Sequence, residues 1–189
     1  MKISAVILAG GTSSRMGCDK GLLNVGGQIL LERQIDTLVA AGLEDIFISG
    51  RPEADYSKFG CQILNDHFPD AGPLAGIHAA LLNTRHPLLL VLAVDLPAMR
   101  APFLQSLIMT ATAGGVIPRV DGQIEPLAAV YPRTTLGLIE EQLQAGNFAV
   151  REFAQACVRA RLASFFDVTP EFLTLFKNLN RPEDLSCPN

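Results

Sequence analysis

The sequence predicts an α/β fold, a single domain over residues 1–189 built on a doubly wound, mainly parallel sheet. Short apolar runs alternate with helical patterns, which is typical of a parallel sheet covered by helices on both faces. Hydrophobic residues make up 49% of the chain and charged residues only 18%, which suits a buried sheet. Glycine-rich or acidic segments follow the runs that end at Leu8, Leu64 and Val94. Open α/β sheets bind ligands at such strand ends.

The first third of the chain gives a strand, a helix and two further strands. Residues 3–8 are a short apolar run, as expected of a strand buried on both faces. A helix is predicted from Leu30, and Gly42 ends it. Its apolar positions are Ile29, Leu30, Ile35, Leu38 and Val39, and the polar positions between them are Glu32, Arg33, Gln34 and Asp36. Residues 45–49 and 61–64 predict the next strands.

The remaining pattern continues the alternation of helices and strands. Gly72-Pro73 predicts a turn and then a helix to about Leu82, because proline suits the first helical turn. Residues 88–94 are the longest apolar strand candidate, and we expect them at the centre of the sheet. Further helices are predicted over residues 101–112, 134–144 and 148–159, and further strands over residues 116–119, 127–131 and 162–166. A last helix is expected to begin near Arg181.

The loop of residues 8–20, here called the glycine-rich loop, is the predicted ligand site. Backbone N–H groups at Gly10 and Gly11 can approach an anion closely, and Arg15 and Lys20 can neutralise phosphate charge. The Walker A pattern does not fit, because Lys20 is followed by glycine instead of serine or threonine. The dinucleotide fingerprint does not fit either, because the glycines are too widely spaced. The loop therefore predicts a nucleotide triphosphate site, and the alternative is an ordinary surface loop.

Asp95 and Asp66 are the candidate acidic residues, since each follows a predicted strand. A carboxylate held at the end of a buried strand can bind Mg²⁺, which in turn bridges phosphate oxygens. The alternative for Asp95 is a turn or helix cap before Pro97. Asp66 is a candidate for recognising the nucleotide base, and capping of the next helix is an equally good alternative.

The glycine-rich loop resembles the signature of the MobA-type molybdenum cofactor guanylyltransferases. That signature is Leu-Ala-Gly-Gly-x-Ser-x-Arg-Met-Gly-x-Asp-Lys, and it matches from Leu8 to Lys20. The family's Gly-Pro-Leu-Ala-Gly, Asp-x-Pro and Asn-x-Asn segments are matched at residues 72–76, 95–97 and 178–180. The resemblance implies the nucleotide-diphospho-sugar transferase fold. It also implies transfer of GMP from Mg-GTP to the terminal phosphate of molybdenum-molybdopterin, with release of pyrophosphate.

The resemblance also assigns roles to residues of this chain. Catalysis falls to Arg15, Lys20 and Asp95, with Asp95 as the ligand of the Mg²⁺ cofactor. The implied GTP-binding residues are Leu8, Ala9, Gly10, Gly11, Lys20, Asp66, Gly72, Gly76 and Asp95. Asn178 and Asn180 are the implied molybdopterin contacts, and capping of the last helix is their alternative role. Close packing of the helix on the sheet is the alternative for Gly76.

Two positions depart from the family pattern. Ser49 stands where many members carry asparagine, and Arg181 stands where threonine is usual. Serine can still form a hydrogen bond, but its reach is shorter than that of asparagine. The departures bear on the fine contacts to the substrates and leave the transferase prediction in place.

Composition bounds the partners and the location. A net charge of −4 does not favour a nucleic-acid partner, so a polyanionic substrate must be held by local cations. The sequence shows no secretory leader and no apolar run long enough to span a bilayer, which predicts a cytoplasmic protein without a membrane partner. The family resemblance implies as partners GTP, molybdenum-molybdopterin and the proteins that deliver the pterin or receive the finished cofactor. The alternatives are a related transferase that uses CTP or a sugar phosphate, and a nucleotide-binding module without turnover.

Overall fold

Ten strands form the framework of the part of the chain that the structure describes. A computed structural model of the chain describes residues 2–10, 19–111 and 114–179. The strands are β1 (Ile3–Leu8), β2 (Asn24–Val25), β3 (Gln28–Ile29), β4 (Ile46–Ser49), β5 (Gln62–Leu64), β6 (Leu88–Ala93), β7 (Gly115–Val120), β8 (Gln123–Ile124), β9 (Ala128–Pro132) and β10 (Ala163–Asp167). The main sheet has the order β10-β7-β9-β6-β1-β4-β5, with β8 paired to β7, and β2 and β3 form a separate hairpin.

Helices cover both faces of the main sheet, as the sequence predicts. They are α1 (Leu30–Ala40), α2 (Pro73–Asn83), α3 (Ala101–Thr110), α4 (Leu136–Gln144) and α5 (Val150–Arg159). Helices α1 and α3 contribute buried side chains to the core on one face of the sheet. Helices α2, α4 and α5 contribute to the core on the other face. Two cores separated by one sheet are the arrangement of a doubly wound fold.

The two central strands, β1 and β6, are apolar except for Ser4. Every residue of β1 and of β6 is buried, which explains why both segments are dominated by apolar residues. Strands β5, β4, β1 and β6 run parallel to one another. Their carboxyl ends therefore lie at one edge of the sheet, which is the edge that the sequence predicts for the site.

The orientation of β9 is a feature that the sequence pattern did not predict. Residues 127–131 were expected to form a strand, and β9 does, but it is inserted antiparallel between β6 and β7. Asp121 and Gly122 have φ angles of 48° and 78°, which fit a two-residue hairpin turn between β7 and β8. The turn sends the chain back beside β7, so no crossover helix separates β7 from β9.

Two predictions about local structure were wrong in detail. Val39 was expected on the buried stripe of α1 and Gln34 on its polar face, but Val39 is 58% exposed and Gln34 only 1% exposed. A 3₁₀ segment at Pro170–Phe176 was not predicted at all. It is held by ring contacts of Phe172 and Phe176 with Phe103 on α3, at centroid distances of 5.3 Å. The helix expected near Arg181 lies outside the described residues.

Candidate active site

The first residues of the glycine-rich loop are held on both sides by neighbouring strands. The Ala9 N–H donates to the Ser49 carbonyl oxygen at 2.7 Å, and the Gly10 N–H lies 3.4 Å from the same oxygen. On the other side the Val94 N–H donates to the Leu8 carbonyl oxygen at 3.1 Å. Leu8, Ala9 and Gly10 therefore lie at the carboxyl edge of the sheet, next to the segments that follow β4 and β6.

Lys20 and Asp95 meet at this edge. The Lys20 Nζ lies 3.3 Å from the Asp95 Oδ2, although the residues are 75 positions apart in sequence. Their side chains are 25% and 27% exposed, so the pair is accessible from solvent but not fully hydrated. A cation and a carboxylate beside a glycine-rich loop can together bind phosphate groups and a divalent cation.

Asp19 braces the turn that carries Lys20. Its Oδ1 accepts a hydrogen bond from the Gly21 N–H at 2.8 Å and so caps the 3₁₀ turn Lys20–Leu22. The other carboxylate oxygen, Oδ2, accepts a hydrogen bond from the Tyr56 Oη at 2.6 Å. Both oxygens of Asp19 are thus engaged, one within the turn and one with the segment that follows β4.

Tyr56 is almost completely buried, with 1% of its surface exposed. Burial and the hydrogen bond to Asp19 raise the pKa of Tyr56 well above its usual value, so the phenol stays protonated and can donate. Its Oη also accepts a hydrogen bond from the Arg51 N–H at 3.1 Å. A Cβ on Gly50 would lie 2.4 Å from the ring of Tyr56, so glycine at this position permits the ring to approach the backbone.

Asp66 lies beside β4, within hydrogen-bond distance of Ser49, one of the two residues that depart from the family pattern. The Ser49 Oγ donates a hydrogen bond to the Asp66 Oδ1 at 3.3 Å. Asp66 as a residue is exposed, but partial burial of its carboxyl raises the pKa, and the Ser49 hydroxyl, His67 and His78 partly offset that rise. The carboxylate is therefore placed at the site edge and is supported by one neutral donor.

The predicted glycines of the segment 72–76 have different structural roles. Gly72 has φ 61° and ψ −147° just before α2, a conformation that strongly favours glycine. A Cβ on Gly76 would lie 2.3 Å from the Ser49 Oγ and 2.8 Å from the Leu8 Cδ2. Gly76 thus allows α2 to pack closely on β1 and β4, which is the packing role that the sequence left open for it.

The carboxyl-terminal segment of the described chain reaches the same edge. The Leu179 N–H donates to the Asp95 carbonyl oxygen at 3.0 Å, and the preceding Asn178 is exposed to solvent. The predicted pterin contact Asn178 is therefore adjacent in sequence to a residue bound to the loop after β6. Gly11, Arg15 and Asn180 lie outside the described residues.

The donor set at this edge fits a magnesium ion that is shared with substrate. Within residues 2–10, 19–111 and 114–179, no group of three or more His, Cys, Asp or Glu side chains could hold a metal. Mg²⁺ commonly binds through one or two carboxylates and completes its shell with water and substrate phosphates. A single carboxylate at Asp95 suits that pattern.

Among residues 2–10, 19–111 and 114–179, no helix combines the length and the apolar character needed to cross a bilayer.

Comparison with known proteins identifies the family. Residues 5–160 match the family model described as MobA-like NTP transferase domain. The chain belongs to this family. A curated relative from Opitutus terrae, named "Probable molybdenum cofactor guanylyltransferase", is 37% identical over 187 residues, covering 96% of this chain and 92% of the relative. The molybdenum cofactor guanylyltransferase of Syntrophotalea carbinolica is 34% identical, with 96% of this chain and 88% of the relative covered.

Solved structures share the fold of this MobA-like NTP transferase. Molybdopterin-guanine dinucleotide biosynthesis protein A from Archaeoglobus fulgidus superposes with a TM-score of 0.74 at 24% identity, covering 97% of this chain and 94% of that one. The 2-C-methyl-D-erythritol 4-phosphate cytidylyltransferase of Thermus thermophilus gives a TM-score of 0.73 at 20% identity, covering 97% and 95%. The predicted fold class is confirmed, and the MobA-like NTP transferase is a nucleotidyltransferase.

Two residues that contact the site were not singled out from the sequence. Gln34 is buried and donates to the backbone beside Asp95, and Tyr56 donates to Asp19. Gln34 lies four residues after Leu30 and four before Leu38, so it occupies a helical position that faces the core. That spacing indicated that Gln34 is buried, although it did not indicate the contact with the backbone beside Asp95. Tyr56 carried no comparable signal, because its contacts bridge two loops that are distant in sequence.

Proposed function

We propose that this MobA-like NTP transferase transfers GMP from GTP to the terminal phosphate of molybdenum-molybdopterin and releases pyrophosphate. The observation that carries the proposal is the meeting of Lys20 and Asp95, at 3.3 Å, beside the start of the glycine-rich loop. The names of the curated relatives support the choice of guanylyl transfer. GTP and molybdenum-molybdopterin are the proposed substrates, and the proteins that deliver the pterin or receive the product stay a prediction.

The reaction needs positioning and charge neutralisation more than covalent catalysis. An oxygen of the acceptor phosphate bonds to the α-phosphorus of GTP, and the bond from that phosphorus to the bridging oxygen of pyrophosphate breaks. Lys20 is proposed to stabilise negative charge on the phosphate oxygens, and Arg15 has the same proposed role. Asp95 would hold Mg²⁺, which supplies further neutralisation of the phosphates when it is bound.

Asp66 is proposed to recognise the guanine base. A carboxylate only accepts hydrogen bonds, and guanine presents two adjacent donors, the N1–H and the N2 amino group. Adenine lacks the N1–H, so it would leave the carboxylate facing a lone pair. The Ser49 hydroxyl lies 3.3 Å from the Asp66 Oδ1, and its hydrogen bond lowers the pKa of Asp66, which favours the ionised carboxylate. A helix cap or a ribose contact is the alternative role for this residue.

The remaining assignments belong to the same proposal. Gly10, Gly11 and Gly72 would let the backbone approach the nucleotide, and Gly76 would act through the close packing of α2 on the sheet. Asn178 and Asn180 would offer side-chain amides to the pterin. Cytoplasmic location, and the absence of nucleic-acid and membrane partners, stay predictions.

Release of pyrophosphate from GTP, ITP, ATP and CTP, with and without molybdopterin, tests the function. We expect release that depends on molybdopterin, that is fastest with GTP and intermediate with ITP, which lacks the N2 amino group. Asp95→Ala should remove most turnover, because the loss of a metal-binding carboxylate costs several kcal/mol of transition-state stabilisation. Faster release with CTP, or near-normal turnover of the folded Asp95→Ala variant at saturating Mg²⁺, would contradict the proposal.

Asp66→Asn tests base recognition, with Asp70→Asn as the matched control in the same loop. Both variants lose one carboxylate, and Asp70 already adopts a positive φ of 62°, which asparagine tolerates. We expect only Asp66→Asn to reduce the preference for GTP over ATP. If it keeps the wild-type ratios among GTP, ITP and ATP, then Asp66 does not contact the base.

A further inference from the structure

We propose that Gln34 is a positioning residue that holds the turn at residues 94–96, here called the Asp95 turn, in its active conformation. The inference rests on the proposed function of Asp95 in binding the metal and the nucleotide phosphates. Gln34 lies on α1, outside the glycine-rich loop and outside every segment that carries the family resemblance. Its side chain reaches the backbone on both sides of Asp95.

The contacts place one buried amide across the turn after β6. The Gln34 Nε2 lies 2.7 Å from the Leu96 carbonyl oxygen and 3.5 Å from the Val94 carbonyl oxygen. The carbonyl between them, that of Asp95, accepts from the Leu179 N–H at 3.0 Å. The three successive carbonyls therefore all have donors, two from the same side chain. These bonds fix the direction in which the Asp95 side chain leaves the backbone.

The surroundings of the Gln34 amide determine its orientation. Both partners of Gln34 are carbonyl oxygens, so the Nε2 must face them, and the opposite amide orientation would set oxygen against oxygen. The Gln34 Oε1 is buried and has no hydrogen-bond partner among the described residues. A buried acceptor without a partner is destabilising, so an apolar side chain of the same size would fit the core without that cost. Such a side chain would also remove the donor that faces the Leu96 and Val94 carbonyl oxygens, so the bonds to this turn explain why the position carries glutamine.

Without Gln34, the Leu96 carbonyl oxygen would keep only the hydrogen bond from the Met99 N–H at 3.1 Å, and the Val94 carbonyl oxygen would lose the Gln34 donor, which would loosen the turn. Groups that orient a metal ligand without touching the metal typically change metal affinity by about 10- to 100-fold when they are removed. We therefore expect Gln34→Met to raise the free Mg²⁺ concentration needed for half-maximal pyrophosphate release by about tenfold or more. The proposed contact to the base is Asp66, which follows β5 and takes no part in these hydrogen bonds, so the preference for GTP over ATP should not change.

The experiment compares Gln34→Met with three other variants. Thr135→Val is the matched control, because the Thr135 Oγ1 is also buried and donates to a backbone carbonyl, that of Pro132, at 2.7 Å. Gln34→His keeps an N–H donor at the same number of bonds from the Cα and should stay near the wild-type Mg²⁺ midpoint. Asp95→Asn marks full loss of the proposed ligand.

Hydrogen–deuterium exchange of residues 94–99, measured without substrates, is the second readout. Gln34→Met should speed exchange in this segment, and Thr135→Val should leave it unchanged. An unchanged Mg²⁺ midpoint and unchanged exchange in folded Gln34→Met would overturn the inference. If that variant does not fold, Gln34→His decides, since a tenfold higher midpoint despite its donor would contradict the positioning role. Full activity of Asp95→Asn would instead contradict the proposed function of Asp95 itself.

Discussion

Replacing Tyr56 with phenylalanine removes one hydroxyl and keeps the ring, so it isolates the hydrogen bonds of that hydroxyl. The ring is held tightly against Gly50, where a Cβ would lie only 2.4 Å away, and phenylalanine preserves this packing. What is lost is the donor to the Asp19 Oδ2 and the acceptor for the Arg51 N–H. Because Tyr56 is only 1% exposed, water cannot easily replace the hydroxyl.

The size of the effect follows from the charge on Asp19. A hydrogen bond to a charged group contributes about 1.5–3 kcal/mol to stability, against about 1 kcal/mol for a neutral one. In a protein of 150–250 residues, each kcal/mol shifts the unfolding temperature by about 2–4 °C. We therefore expect Tyr56→Phe to lower the unfolding temperature by roughly 3–12 °C. Because Asp19 also caps the turn that carries Lys20, kcat/KM for GTP should fall as well.

Tyr131→Phe is the matched control, since Tyr131 is the other tyrosine of the chain. It is fully buried, and its Oη donates to the uncharged Pro126 carbonyl oxygen at 2.9 Å. Thermal unfolding and pyrophosphate release are measured on both variants. We expect the smaller stability loss for Tyr131→Phe, with a smaller change in kcat/KM for GTP. If Tyr56→Phe matches wild type in both measurements, the bond to Asp19 does not support the Lys20 turn.

Three further predictions concern the same edge of the sheet. Lys20→Ala should lower kcat/KM for GTP by about 100-fold. It should change the free energy of unfolding by at most about 1 kcal/mol, because the ion pair of Lys20 with Asp95 is partly exposed. Normal GTP binding and turnover in this variant would show that Lys20 is only a surface cation. Gly76→Ala should cost about 1–3 kcal/mol in urea unfolding, because the new Cβ would lie 2.3 Å from the Ser49 Oγ, and adding Ser49→Ala should restore part of that loss. Asp66 has a raised pKa, so its ionised, base-reading form is lost at a higher pH than for an ordinary aspartate, and the GTP preference over ATP should decline as pH falls. Its contribution to stability has the opposite sign, being greatest when the carboxyl is protonated and decreasing as pH rises through the raised pKa.

The sequence by itself determined the fold class, the family and the edge of the sheet that carries the candidate site. These depend on local patterns, since apolar runs, helical spacing and turn residues are contiguous in the chain. The family signature from Leu8 to Lys20 is also contiguous. The parallel order of β5, β4, β1 and β6 brings Lys20 and Asp95 together, as strand ends at one edge require.

Only the tertiary structure decided which side chains support that site. Gln34 turns inward because the carbonyls flanking Asp95 offer acceptors 60 and 62 residues away, and helical periodicity alone does not reveal such acceptors. Tyr56 meets Asp19 across 37 residues, and β9 lies antiparallel because a tight turn at Asp121 and Gly122 returns the chain. Buried polar groups find partners wherever the packed chain places them, so these assignments depend on contacts that are distant in sequence.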